Sequence, residues 1–95
     1  MLRDIVGVRP IGEYRLWLRF EDGVEGEIDL RGVLSFKGVF APVADPRYFE
    51  QVRVNEELGT ICWPNGADMD PLVLYARVTK RPVEDYLTER SEQNR

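Results

Sequence analysis

"YRLWLRFEDGVEGEIDL", residues 14–30, decides how this chain folds. Tyr14, Leu16, Leu18 and Phe20 alternate with Arg15, Trp17 and Arg19; after Glu21-Asp22-Gly23, Val24, Gly26, Ile28 and Leu30 alternate with Glu25, Glu27 and Asp29. A period of two marks a strand with one buried face, so a β-hairpin is predicted. Face parity selects its loop. A two-residue Asp-Gly turn would set Phe20 against Glu25 and put a carboxylate in the apolar layer. A loop of residues 21–23 instead sets Phe20 opposite Val24, Leu18 opposite Gly26, Leu16 opposite Ile28 and Tyr14 opposite Leu30, with Gly23 in the left-handed position of a type I turn plus bulge. On the other face Arg19 falls opposite Glu25, Trp17 beside Glu27 and Arg15 opposite Asp29, exposed pairs contributing roughly 0.2–1 kcal/mol each.

Working outward, DIVGVRP at residues 4–10 reads as a first strand ending at Pro10, with Pro10-Ile11-Gly12 turning the chain. Gly32, Gly38, Pro42 and Pro46 break the next stretch, leaving room for short helical turns near 30–35 and near 46–50, the latter capped by Asp45 with Pro46 first. Val33, Leu34, Phe36, Val39, Phe40, Val43 and Phe49 are expected to plug the core. A second hairpin is expected with loop 56–59, Val54 facing Ile61 and Val52 facing Trp63, which extends the first to a sheet of at least five strands. A C-terminal helix starts at Asp70-Pro71 and packs through Leu72, Leu74 or Tyr75, and Val78 or Thr79. Helical turns from Pro82 through Leu87 complete a single α+β domain over 1–87, antiparallel hairpins with a helix on one face. Residues 88–95 form a polar tail that frays.

The bulk numbers bound the function. Ninety-five residues build one modest core. A net charge of −4 repels phosphate backbones and anionic membranes, so direct nucleic-acid binding is disfavoured and no membrane association is expected. One cysteine, Cys62, excludes an internal disulfide and fits a reducing, cytoplasmic setting; at mid-strand it reads as structural. The N-terminal residues lack an apolar run of signal or membrane-span length. No histidine is present, which removes Ser-His and Cys-His triads from this chain and the commonest transition-metal ligand. No catalytic constellation, cofactor or metal is expected.

The stretch with the look of a site is ICWPNGADMDP, residues 61–71. Trp63 serves as a core anchor, Pro64-Asn65-Gly66 as a reversal between a strand and the next element, and Asp70 as a helix cap. Asn65 and Asp68 have no evident local duty. With Asp70 they offer oxygen donors suited to calcium or magnesium, but the spacing matches no calcium loop. Trp63, Asn65 and Asp68 are therefore the candidate binding turn. Arg15, Trp17 and Arg19 are the second candidate, a partner-contact face: a basic strand with an interleaved aromatic suits single-stranded nucleic acid, but Glu25, Glu27 and Asp29 beside it favour a solvated, ion-paired face or a protein contact.

The pattern V.P...Y.L.L.F.DG..G..DL, followed by GTICWPNGADMDPLVLY, resembles the small prokaryotic family catalogued as domain of unknown function 2442 (DUF2442), over roughly residues 3–78. Its most specific part is Trp63, Pro64, Asn65, Gly66, Asp68, Pro71, Leu74 and Tyr75. The resemblance implies a compact α+β domain of antiparallel hairpins, usually alone and sometimes joined to a helix-turn-helix domain. It also implies genes that often adjoin one for another small protein, which has suggested toxin and antitoxin pairs. The expected partner is thus the product of an adjacent gene, with a homodimer left open. No catalytic residue carries over from the family.

Overall fold

The computed structural model describes residues 3–85. Strands β1 (Ile5–Pro10), β2 (Arg15–Phe20) and β3 (Glu25–Asp29) form an antiparallel sheet in the order β1-β2-β3. The β2–β3 register is the one that face parity requires: Arg15 pairs with Asp29, Leu16 with Ile28, Trp17 with Glu27, Leu18 with Gly26 and Arg19 with Glu25. Phe20 N–H donates to Val24 O at 2.8 Å, Gly23 N–H to Phe20 O at 2.9 Å, and Gly23 has φ 93°. Leu16, Leu18 and Phe20 are sealed from solvent, so a one-residue slip would expose all three.

The turn before β2 differs from expectation. The reversal lies at residues 12–15 and not at Pro10-Ile11-Gly12: Arg15 N–H donates to Gly12 O at 2.9 Å around Glu13 and Tyr14, whose φ angles are 47° and 66°. Two consecutive positive φ values are those of a type I′ turn, which favours Asn-Gly. Each non-glycine residue there costs roughly 1–2 kcal/mol. Tertiary contacts offset that cost: the Tyr14 ring lies 5.2 Å from Phe36 and 5.5 Å from Phe49, and its hydroxyl donates to Ala44 O. Tyr14 is therefore a turn residue, although its carbonyl still accepts from Leu30 N–H at 2.9 Å.

The second hairpin pairs β4 (Arg53–Asn55) with β5 (Thr60–Cys62), Val54 opposite Ile61, around the expected loop 56–59. It does not extend the first sheet. The five strands divide into a three-stranded and a two-stranded sheet, β4 and β5 being three residues each. Ile5 N–H donates to Gly59 O at 2.8 Å where the sheets meet. Gly59 has φ 69°, which favours glycine, and a Cβ there would fall 2.4 Å from Asp4 Oδ1, so a side chain would have to displace the Asp4 carboxylate.

Between the hairpins run two 3₁₀-helices, Leu30–Gly32 and Gly38–Ala44, and the single α-turn α1 (Pro46–Phe49). Asp29 and Asp45 cap the first and last of these by accepting from Arg31 N–H and Arg47 N–H, each at 2.9 Å. Val43 and Phe49 are buried and Val33, Leu34, Phe36 and Phe40 half-buried. Val39 is 51% exposed, a correction to its expected core role. In a 3₁₀-helix successive side chains point about 120° apart, so Val39 faces outward while Val43 faces the sheets.

Helix α2 (Pro71–Thr79) starts on Asp70, whose Oδ1 accepts from Leu72 N–H at 2.8 Å. It buries Leu72, Leu74, Tyr75 and Ala76 and ends at left-handed Lys80, φ 59°. Gly26 lets it approach β3, since a Cβ on Gly26 would sit 2.9 Å from Val78 Cγ1. The chain turns again where Asp85 N–H donates to Pro82 O at 3.1 Å. Residues 86–87 of the expected last helical turns, and the polar tail at 88–95, lie outside the described residues.

Candidate functional site

Pro64, Asn65 and Gly66 form the expected reversal, a hairpin loop whose next element is a return beside β5 and not yet the helix. Trp63 N–H donates to Ala67 O and Gly66 N–H to Trp63 O, both at 2.9 Å, with Gly66 at φ 88°, and Cys62 bridges to Asp68 antiparallel. The chain doubles back beside β5 before α2 begins. This is the hydrogen-bond pattern of the 21–23 loop. Asn65 Oδ1 accepts from Ala67 N–H at 3.1 Å as Asp22 Oδ1 accepts from Val24 N–H at 3.0 Å. The second residue of each loop thus supplies the same side-chain acceptor, a local role that Asn and Asp fill well.

Asn65 is committed further. Its Nδ2 donates to Val39 O at 2.8 Å, and its own N–H donates to the Tyr48 hydroxyl at 2.8 Å. The loop is thereby stitched to the second 3₁₀-helix and to α1. Trp63 is 1% exposed; its Nε1 donates to Phe49 O at 3.1 Å, and its ring meets Phe40 edge-on at 6.1 Å. Thr60, buried on the other face of β5, donates from Oγ1 to Met69 O at 2.5 Å. The indole and the amide are scaffolding.

Asp68 stands apart from them, exposed on the returning strand. Asp70 spends Oδ1 on the helix cap. Among the described residues no group of three or more Cys, Asp or Glu side chains is placed to hold a metal ion. Asn65, Asp68 and Asp70 are close in sequence, yet the fold assigns them to a loop bond, a solvated strand and a cap.

Arg15, Trp17 and Arg19 do share the outer face of the three-stranded sheet. Arg15 and Arg19 are exposed and Trp17 half-buried. The indole lies over Gly7, where a Cβ would come within 3.3 Å of its ring, and the Arg9 guanidinium stacks 4.9 Å from its centroid. Arg15 reaches Glu27 at 3.9 Å instead of Asp29, which stands directly opposite it. Asp29 turns to Arg31, which donates from Nε to Oδ1 at 3.0 Å and from a terminal nitrogen to Oδ2 at 2.7 Å. That fork lowers the Asp29 pKa to about 2, chiefly through the side-chain hydrogen bonds.

One cluster has no local sequence signal. Tyr75 on α2 donates its hydroxyl proton to Asp22 Oδ2 at 2.6 Å, its ring packs edge-on to Phe20 at 4.9 Å, and the Arg3 guanidinium lies 4.7 Å above it. Burial first, and then the Asp22 bond, push the phenol pKa up. A phenol held protonated is a donor and a poor nucleophile, so this cluster clasps α2 to the first hairpin.

No curated protein and no solved structure matches the chain. A family model does match, over residues 5–80, from the start of β1 to the residue that ends α2, with the 63–75 signature inside it. The chain belongs to the family described as a protein of unknown function (DUF2442).

Proposed function

We propose that this chain is a non-catalytic protein-interaction module of the cytoplasm, the antitoxin-like or regulatory partner of a small protein encoded beside it. The observation that carries this reading is the engagement of the signature turn. The Trp63 indole and the Asn65 amide are spent on backbone carbonyls and amides, so the most specific residues of the chain serve the scaffold. The absence of histidine from the sequence supports the same reading. What remains for function is the surface of a chain whose net charge is −4.

Co-expression with the adjacent gene tests it. A tagged chain is expected to retain the neighbour's product through size exclusion and to relieve any growth defect that product causes. Recovery of nothing, with the growth defect unchanged, would overturn the proposal. The competing reading, a small-ligand or divalent-cation site at Asn65 and Asp68, predicts a thermal shift: a ligand at one hundred times its Kd adds roughly 2.7 kcal/mol. A flat screen across divalent cations, nucleotides and amino acids would remove it.

A further inference from the structure

The two sheets meet beside a cleft of about 300 Å³. Ile5, Val6 and Val54 give it an apolar lining, and the carboxylates of Asp4, Glu21 and Glu56 stand around it. A register shift between Ile5 and Gly7 makes Val6 an extra residue in β1 and leaves it 52% exposed, an apolar side chain that the fold itself does not use. The three carboxylates are exposed, and none forms an ion pair with another described residue.

We infer that this cleft receives a segment of the partner protein in which one aliphatic side chain is flanked by Lys or Arg. The inference rests on the interaction-module reading and deepens it by naming the surface and the chemistry of the partner. The aliphatic group covers Val6 and Val54, and the flanking cations meet Asp4, Glu21 and Glu56. Addition of a strand to β1 is the weaker alternative, because a bulge and Pro10 both blunt that edge for ladder pairing. A second copy of the chain fits poorly, since each copy carries a net charge of −4 and brings more carboxylates to the same place.

The test uses the full chain, labelled with nitrogen-15, and the blocked peptide Gly-Arg-Arg-Leu-Arg-Arg-Gly, with Gly-Glu-Glu-Leu-Glu-Glu-Gly as control. The basic peptide is expected to shift the amides of residues 4–6, 21 and 54–59. The charge-reversed double variant Glu21→Lys/Glu56→Lys, at exposed positions, is expected to keep its other amide signals and to bind that peptide at least tenfold more weakly. No shift at those amides, equal binding by the variant, or a shift produced instead by raising the protein concentration would overturn the cleft. Co-purification separates this failure from that of the broader reading. If wild type and double variant retain the neighbour's product equally, the cleft fails and the module stands; if neither retains it, the module fails.

Discussion

Tyr75 and Asp22, fifty-three positions apart, share a 2.6 Å hydrogen bond that ties the C-terminal helix to the tip of the first hairpin. Asp22 also accepts from Val24 N–H within its own loop, so one carboxylate serves local and tertiary structure with its two oxygens.

Removal of the hydroxyl in Tyr75→Phe is expected to cost about 1 kcal/mol in urea unfolding, within the range for a hydrogen bond to a charged group that is partly solvated. The pH dependence has a definite sign. The folded phenol pKa is raised, mainly by burial, so its contribution is fully present below the ordinary tyrosine value near 10 and is lost as pH rises through the folded value. Wild type is therefore expected to lose stability above pH 10 more steeply than Tyr75→Phe.

Asn65→Ala deletes the acceptor for Ala67 N–H and the donor to Val39 O. A loss of about 1–2 kcal/mol is expected at these partly solvated bonds. Asp68→Asn, on the exposed returning strand, is expected to stay within about 0.5 kcal/mol of wild type. Parallel thermal melts of the two variants check the division of labour within the signature turn.

Gly26→Ala places a methyl 2.9 Å from Val78 Cγ1, and branched Val78 has few rotamers in which to retreat. Overpacking of this kind costs about 1–3 kcal/mol. Val78→Ala in the Gly26→Ala background is expected to recover part of that loss, which a double-mutant cycle would measure.

Arg31→Gln removes the guanidinium fork from Asp29. The Asp29 carboxyl, now titrating at about 2, is expected to move up toward 3.8, as followed by carbon-13 chemical shifts against pH. Because the folded pKa is depressed, the stabilisation from this pair is present above the ordinary aspartate value and is lost as pH falls through about 2.

Much of the first hairpin was legible because parity excludes the two-residue Asp-Gly turn, and the three-residue loop keeps Leu16, Leu18 and Phe20 on the same side as Val24 and Ile28. Helix α2 was legible for an equally local reason, a cap and a proline followed by apolar residues at helical spacing. The 61–71 stretch was legible in part. Pro-Asn-Gly marks a reversal, but whether the chain then enters a helix or pairs back on β5 depends on Ala67 and Asp68 finding Trp63 and Cys62 across the loop.

By itself the sequence determined the α+β class, the register of both hairpins, the capped C-terminal helix and an acidic chain without histidine. Each of these is written in neighbouring residues: alternation, loop chemistry, caps and charge. Tertiary structure alone decided that five strands divide between two sheets, that Tyr14 sits in a left-handed turn held by Phe36, Phe49 and Ala44, and that Asn65 is stitched to Val39 while Asp68 is left in solvent. It alone brought Asp4, Glu21 and Glu56 into one cleft with Ile5, Val6 and Val54. These outcomes depend on free energies of contact between residues tens of positions apart, which no local pattern encodes.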